Sequence, residues 1–250
     1  MTVIVAFYCS DGVVIGADSM LTPTMGNISV GHHHGQKISV IDGPQLYAFA
    51  GDLGHSERVR IMANGSHAAI PGTGHPIDFP LILTQSIIQQ FNSTGIGSNI
   101  GCSPVLSFMH SGRPQLCVFE GKFQPRMLDE NHFFVALGSG KLSADPFLRF
   151  LTDIFCHDRV PTVADALFLT TWTIQHVIDV NPGGVAAPIR VATFELEAGV
   201  PKATLLPETE IDEHLQAVDS ARIALLDWRN SLAIGGIDRE IPDIPSAPEE

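Results

Sequence analysis

The start of the chain holds residues whose types and spacing suit attack on an acyl group. Thr2 follows the first methionine, and once Met1 is removed its hydroxyl and α-amino group would lie about one hydrogen bond apart. An amine at that distance, or a water that it holds, can act as the base that deprotonates the hydroxyl. Thr2 therefore predicts a nucleophile that needs no separate histidine.

Asp18 and Lys37 are candidates for the charges that such a nucleophile requires. A lysine ammonium beside Thr2 would keep the pKa of the α-amine normal or low and would favour the alkoxide. Because a buried unpaired charge is very costly, a carboxylate must hold that lysine. Gly51 could present its backbone N–H to an oxyanion. Taken singly, Asp18 and Lys37 also fit ordinary surface charges, and residues 50–54 fit a simple glycine turn.

The elements that must position these residues follow from the apolar pattern. The run TVIVAFYC, residues 2–9, is apolar on both alternating faces, which predicts a strand covered on both sides. Ser10, Asp11 and Gly12 form a turn signal, so the next strand returns beside Thr2 and ends at Asp18. The first half of the chain is then predicted to hold strands at 2–9, 13–17, 37–42 and 46–50, followed by helices at 55–64 and 80–92.

The second half alternates strands and helices again. Thr162 and Asp165 resemble a capping box at the start of an amphipathic helix that runs to residue 180. Two sheets packed together and sheathed by helices would fit this order. We expect one domain over residues 2–234 and an acidic, proline-containing tail over 235–250. The remaining predictions are strands at 104–109, 115–120, 133–137 and 189–196, and helices at 143–156 and 210–229.

Composition excludes several classes of protein. The chain has 250 residues and a formal net charge of −13, with no basic cluster, which argues against nucleic-acid binding. No run of about 18 apolar residues exists, so no membrane span is predicted. Residues are 44% apolar and only 16% charged, which a large buried area or an oligomer interface would explain. The four cysteines form no CxxC pair and the start has no signal-peptide pattern, so we expect reduced thiols in the cytoplasm.

Three short stretches near the start carry a family resemblance. The stretches DGVVIGADS, KISVID and FAGDLG resemble the N-terminal signature of proteasome β-type subunits and bacterial HslV-like peptidases. Two later stretches, VALGSGKLSADPFL and IDVNPGGV, resemble further motifs of the same N-terminal-nucleophile (Ntn) hydrolases. The resemblance implies an α+β fold, specifically the four-layer αββα sandwich of the Ntn hydrolases.

The resemblance also implies roles for single residues. The matching catalytic positions are Thr2, Asp18, Lys37, Gly51, Ser139 and Asp179. The positions that line the substrate channel in the family are Thr22, Phe49 and Gly51, and the bulk of Phe49 suggests a shallow pocket. Pro182 stands where members of the family commonly have a second serine.

The implied activity is that of a threonine endopeptidase, with no cofactor and no metal. Its expected partners are a peptide or unfolded protein as substrate, further copies in a homo-oligomeric ring and a possible ATPase unfoldase. Two alternatives remain: an Ntn amidohydrolase that cuts a small amide, and a ring-forming subunit without catalytic activity. The run GHHHG at 31–35 also permits a metal, although adjacent histidines on an extended chain point to opposite sides. A polar loop is the expected structure there.

Overall fold

The computed structural model describes residues 2–25, 28–29, 31–43, 45–66, 74–97, 99–181 and 183–235. Over these residues the chain is α+β, and its sheets are antiparallel. The strands are β1 Ile4–Tyr8, β2 Gly12–Ala17, β3 Met20–Leu21, β4 Thr24–Met25, β5 Ile28–Ser29, β6 His33–His34, β7 Ile38–Ile41, β8 Gln45–Gly51, β9 Cys102–His110, β10 Arg113–Glu120, β11 Gln124–Met127, β12 Phe134–Leu137, β13 Arg190–Glu197 and β14 Val200–Leu205. The helices are α1 Leu53–Ser66, α2 Asp78–Ser93, α3 Lys141–Phe155, α4 Val163–Val180 and α5 Glu208–Gly235.

The first five-stranded sheet places the start of the chain in the interior. Its strand order is β12-β1-β2-β13-β14, and Ile4 pairs with Leu137 on one side and with Ala17 on the other. β1 is buried on both faces, as its unbroken apolar run predicts. Thr2 therefore enters the sheet between the end of β2 and the end of β12.

The second five-stranded sheet carries Gly51 at one strand end. Its order is β11-β10-β9-β8-β7, and the last pair between β8 and β9 joins Gly51 to Cys102. Alternate residues of β8 face opposite ways: Ala48 packs with residues of the first sheet, whereas Tyr47 and Phe49 pack with α1 and α2.

Three apolar clusters hold these elements together. One joins β1 to α3, α4 and α5, a second joins residues of the two large sheets, and a third joins the second sheet to α1 and α2. Apolar burial stabilises folding by about 25 cal/mol per Å². Representative members are Val5, Leu148 and Val177 in the first cluster, Ile4, Ile15 and Leu116 in the second, and Tyr47, Val59 and Ile87 in the third.

Strong periodic patterns were predicted well, and short or edge strands were missed. The capping box of α4 is confirmed: the Thr162 hydroxyl accepts from the Asp165 N–H, and the Asp165 carboxylate accepts from the Thr162 N–H. The missed strands β11 and β14 lie at sheet edges and are largely exposed, so they lack an alternating apolar face. The two-residue strands β3 to β6 are too short to show a pattern.

The C-terminal helix is longer than predicted. α5 extends to Gly235, beyond the predicted end at 229. The tail expected at 235–250 otherwise lies outside the described residues. In the part of the chain that the structure describes, no helix combines the length and apolar character needed to cross a membrane.

Candidate functional site

A buried ion pair lies at the centre of the candidate site. Lys37 Nζ donates to Asp18 Oδ1 at 2.6 Å, and the two residues are 2% and 1% exposed. Burial lowers the pKa of Lys37 from its ordinary value, and the neighbouring Asp18 carboxylate opposes that shift. The pair therefore places a positive charge, held by one carboxylate, in the protein interior.

The same carboxylate ties Lys37 to the start of the chain. Asp18 Oδ1 also accepts the Val3 N–H at 2.9 Å, and Asp18 Oδ2 accepts the Met20 N–H at 3.0 Å. In return, the Asp18 N–H donates to the Val3 carbonyl at 3.3 Å. One oxygen atom thus contacts both the Lys37 ammonium and the residue that follows Thr2.

Residues 138–140 hold Thr2 from the other side. The Thr2 N–H donates to Ser139 Oγ at 3.1 Å, and the Gly140 N–H donates to the Thr2 carbonyl at 3.0 Å. Gly138 has φ +83°, and a Cβ there would overlap the Thr2 carbonyl oxygen. Thr2 itself remains half-buried, so a molecule arriving from solvent can reach it.

We expect Gly138→Ala to displace Thr2 and to destabilise the fold, because the added methyl group overlaps the Thr2 carbonyl and the left-handed φ disfavours alanine. The loss should be about 1–3 kcal/mol of unfolding free energy, measured by chemical denaturation. Gly183→Ala is the matched control, since no atom lies within 4 Å of its added Cβ. Equal stability of the two variants would show that the contact between Gly138 and Thr2 is not tight.

Gly51 lies where β8 ends and α1 is about to begin. Its φ of +108° suits glycine, and the side chain of the next residue, Asp52, caps α1 by accepting the His55 N–H at 2.7 Å. Two residues earlier, the Phe49 N–H donates to the Lys37 carbonyl at 3.3 Å. Gly51 is exposed at the end of the strand that runs alongside Lys37.

The two other predicted substrate positions have different surroundings. Thr22 is half-buried, and its hydroxyl lies 3.2 Å from His32 Nδ1. Phe49 is 7% exposed, because its ring packs in the cluster beneath α1 and α2. The histidine run does not form only a loop, since His33 and His34 pair with Leu21 and Met20 as β6 and β3.

Asp179 is not brought to this cluster. It lies near the end of α4, where its carboxylate accepts from Gln175 at 2.7 Å and from Arg222 of α5 at 3.4 Å. These two partners place the Asp179 carboxylate between α4 and α5. Pro182 lies outside the described residues. Among the described residues, no group of three His, Cys, Asp or Glu side chains is placed to hold a metal ion.

Sequence reasoning missed two features of the site. One is the close approach of Gly138 to Thr2, for which the only signal was the pair of glycines that flank Ser139. The other is the contact of His55 with Gly101, whose partner lies in a different part of the chain and leaves no local pattern.

Comparison with known proteins relates the fold to proteasome-like structures. No model of a known protein family matches the chain, and no curated protein matches its sequence. Among solved structures, a Gly-1 mutant of Anbu from Hyphomicrobium sp. strain MC1 matches with a TM-score of 0.68 at 15% identity, over 96% of this chain and 99% of that one. Anbu from Yersinia bercovieri, described as an ancestral beta-subunit, matches with a TM-score of 0.65 at 13% identity, over 90% of this chain and 97% of that one. The Anbu complex from Pseudomonas aeruginosa, a helical assembly, matches with a TM-score of 0.66 at 15% identity, over 90% of this chain and 95% of that one.

These matches correct the family resemblance drawn from the short motifs. The assignment to proteasome β-type subunits or HslV-like peptidases was wrong, since the matching structures are Anbu proteins, a distinct proteasome-related family. At 13–15% identity they show the fold alone. The chain has the fold of these Anbu structures, and the short motifs were too general to identify its family.

Proposed function

We propose that this protein is an N-terminal threonine hydrolase that cleaves amide bonds in peptides. The observation that carries the proposal is the Asp18 carboxylate, which contacts both the Lys37 ammonium and the Val3 N–H beside Thr2. A buried lysine is costly to keep, and its carboxylate partner also binds the residue that follows Thr2, which supports a role for the pair at Thr2. It would instead serve the charge changes of an attacking hydroxyl.

The proposed reaction begins at the Thr2 hydroxyl. After Met1 is removed, Thr2 Oγ attacks the peptide carbonyl carbon, and its proton passes to the Thr2 α-amine, directly or through a water. The carbonyl π electrons move to the oxygen, and the Gly51 N–H stabilises the resulting oxyanion. The oxyanion electrons then reform the carbonyl as the C–N bond breaks, the ammonium protonates the departing amine, and an ester remains on Thr2. A water hydrolyses that ester by the same two steps and restores the hydroxyl.

Lys37 and Ser139 would set the protonation state of Thr2. The Lys37 charge favours the alkoxide and disfavours a second positive charge on the nearby amine, which keeps that amine available as a base. Ser139 Oγ, at 3.1 Å from the Thr2 nitrogen, would orient the amine. A single oxyanion donor such as the Gly51 N–H is worth about 3 kcal/mol in the transition state.

We propose that an extended peptide binds along the edge of β3 that faces away from β6. The Gly35 N–H donates to the Ser19 carbonyl at 2.8 Å. Because the backbone groups of alternate residues in a strand point to the same edge, the N–H and carbonyl of Leu21 also face β6. The backbone groups of Thr22 therefore point to the opposite edge, where a substrate strand could pair with them. This favours a peptide over a small amide, because backbone pairing needs an extended chain.

The three apolar clusters support the finer fold assignment. We propose that they are the interfaces of a four-layer αββα sandwich, in which the second cluster separates the two sheets and the other two lie beneath helices. The four cysteines are buried free thiols, which fits a reducing compartment such as the cytoplasm.

We also propose that the protein associates with further copies of itself. The middle of α5 exposes Ile223, Leu225 and Leu226 at 60%, 56% and 56%. The Pseudomonas aeruginosa neighbour is a helical assembly, which supports self-association for this fold.

The variant Leu225→Glu/Leu226→Glu should lower the mass of the particle in light scattering, because two charges cannot be buried in an apolar interface. Leu142→Glu, at an exposed apolar residue on α3, is the control for surface charge alone. An unchanged mass in the α5 variant would place any interface elsewhere.

The proposed function is tested first by intact mass and peptide turnover. We expect a mature chain that lacks Met1, hydrolysis of unstructured peptides, and a covalent acyl adduct on Thr2 with an electrophilic peptide probe. A chain that keeps Met1 and turns over no peptide would instead support a subunit without catalytic activity. Turnover of a small amide with no peptide cleavage would support an amidohydrolase.

A further inference from the structure

We propose that His55 is a positioning residue that holds the Gly51 turn in place by binding Gly101. The inference rests on the proposed function, in which the Gly51 N–H stabilises the oxyanion. Such a donor works only if its direction is set before the reaction, so the contacts that set it are part of the site.

Two hydrogen bonds fasten the turn to Gly101 from both sides. The Asp52 N–H donates to the Gly101 carbonyl at 2.8 Å, and the Gly101 N–H donates to His55 Nδ1 at 2.9 Å. The bonds form a closed circuit, because Asp52 and His55 are joined by the helix cap at 2.7 Å. Gly101 is therefore clamped between Asp52, which follows Gly51 directly, and His55 in the first turn of α1.

The backbone at Gly51 depends directly on where Gly101 lies. The two are in close contact, since a Cβ on Gly51 would overlap the Gly101 carbonyl oxygen. The same carbonyl accepts the Asp52 N–H, so it fixes the peptide plane that follows Gly51, and the plane that carries the Gly51 N–H is joined to it through the φ and ψ angles of Gly51. If Gly101 moved, the turn at φ +108° would lose the contact that supports it.

The His55 ring is itself held in a defined orientation. It lies edge-on to Phe91, with ring centroids 5.3 Å apart. The Arg58 guanidinium lies over the Phe91 ring, 4.2 Å from its centroid. Because Nδ1 accepts the Gly101 N–H, the ring hydrogen of the neutral imidazole belongs on Nε2. Only a side chain that places an acceptor at the Nδ1 position can replace it.

Two variants separate the acceptor from the ring. His55→Phe keeps the packing on Phe91 but removes the acceptor, whereas His55→Asn loses the ring and places an amide oxygen near the Nδ1 position. We expect His55→Phe to lower kcat for peptide hydrolysis about tenfold to a hundredfold with KM nearly unchanged, because a misaligned oxyanion donor weakens only the transition state. His55→Asn should stay within about threefold of the parent.

Amide hydrogen exchange, measured residue by residue, tests the clamp without any assay of activity. In His55→Phe the Asp52 amide should exchange at least about tenfold faster, although its own acceptor is unchanged, and in His55→Asn its rate should stay near that of the parent. Unchanged exchange of Asp52 in His55→Phe would overturn the inference, whatever the activity. So would equal loss of kcat in both variants, which would indicate a role in packing. A parent protein that hydrolyses nothing but shows the predicted exchange would refute the proposed function and leave the clamp standing.

Discussion

Thr2→Ala should abolish peptide hydrolysis and leave the folded protein intact. Alanine, like threonine, is small enough at position 2 for Met1 to be removed. The α-amine, Lys37 and Ser139 should therefore stay in place, and only the nucleophile is lost. Removal of a nucleophile of this kind costs about 10⁴-fold to 10⁶-fold in kcat. The measurement is turnover of a fluorogenic peptide, together with the intact mass that verifies the new N-terminus.

The matched variant for this experiment is Thr2→Ser, which keeps the hydroxyl and should keep measurable turnover. The thermal midpoints of both variants should stay close to that of the parent, because the backbone bonds of Thr2 to Ser139 and Gly140 do not involve its hydroxyl. Activity of Thr2→Ala above a few per cent of the parent would exclude Thr2 as the nucleophile.

Lys37→Met should destabilise the protein strongly as well as abolish turnover. Both members of the pair are almost fully buried, so the variant leaves the Asp18 carboxylate without its cation in the interior. Removing one partner of a buried ion pair typically costs about 3–5 kcal/mol. Chemical denaturation at one fixed protein concentration measures the loss, since self-association would otherwise shift the apparent stability.

Two comparisons make the Lys37 experiment specific. Adding Asp18→Asn to Lys37→Met should recover part of the stability but no activity, because it removes the stranded charge without restoring the ammonium. Arg60→Met, which breaks an exposed pair with Glu57, should cost no more than about 1 kcal/mol. If Lys37→Met proved as stable as Arg60→Met, the Asp18–Lys37 pair would be solvated in solution, and its proposed role would be lost.

Much of the architecture was readable from local patterns. The apolar run at residues 2–9 marked β1, and the Thr162–Asp165 capping box marked the start of α4. Such features depend on neighbours within a few residues, so the chain alone specifies them. The strands β11 and β14 were missed because they lie at edges, where the partner strand and not an apolar face decides the structure.

The candidate site was only partly readable in this way. Asp18 and Lys37 stand at the ends of predicted strands, so topology suggested that they meet near Thr2. Asp179 had a motif in its favour, yet its carboxylate pairs with Gln175 and Arg222 between α4 and α5. A motif reports which residues are present, whereas the helix turn on which a side chain lies decides what it can contact.

By itself, the amino-acid sequence determined the class of the fold and the identity of the charges placed near the first strand. Only the tertiary structure decided that Ser139 contacts Thr2 from 137 positions away, that Gly138 must be glycine at that contact, and that His55 reaches Gly101. The physical reason is the distance along the chain over which each interaction acts. Backbone propensity and apolar periodicity act over a few residues, but a hydrogen bond between distant segments exists only after whole sheets and helices have packed.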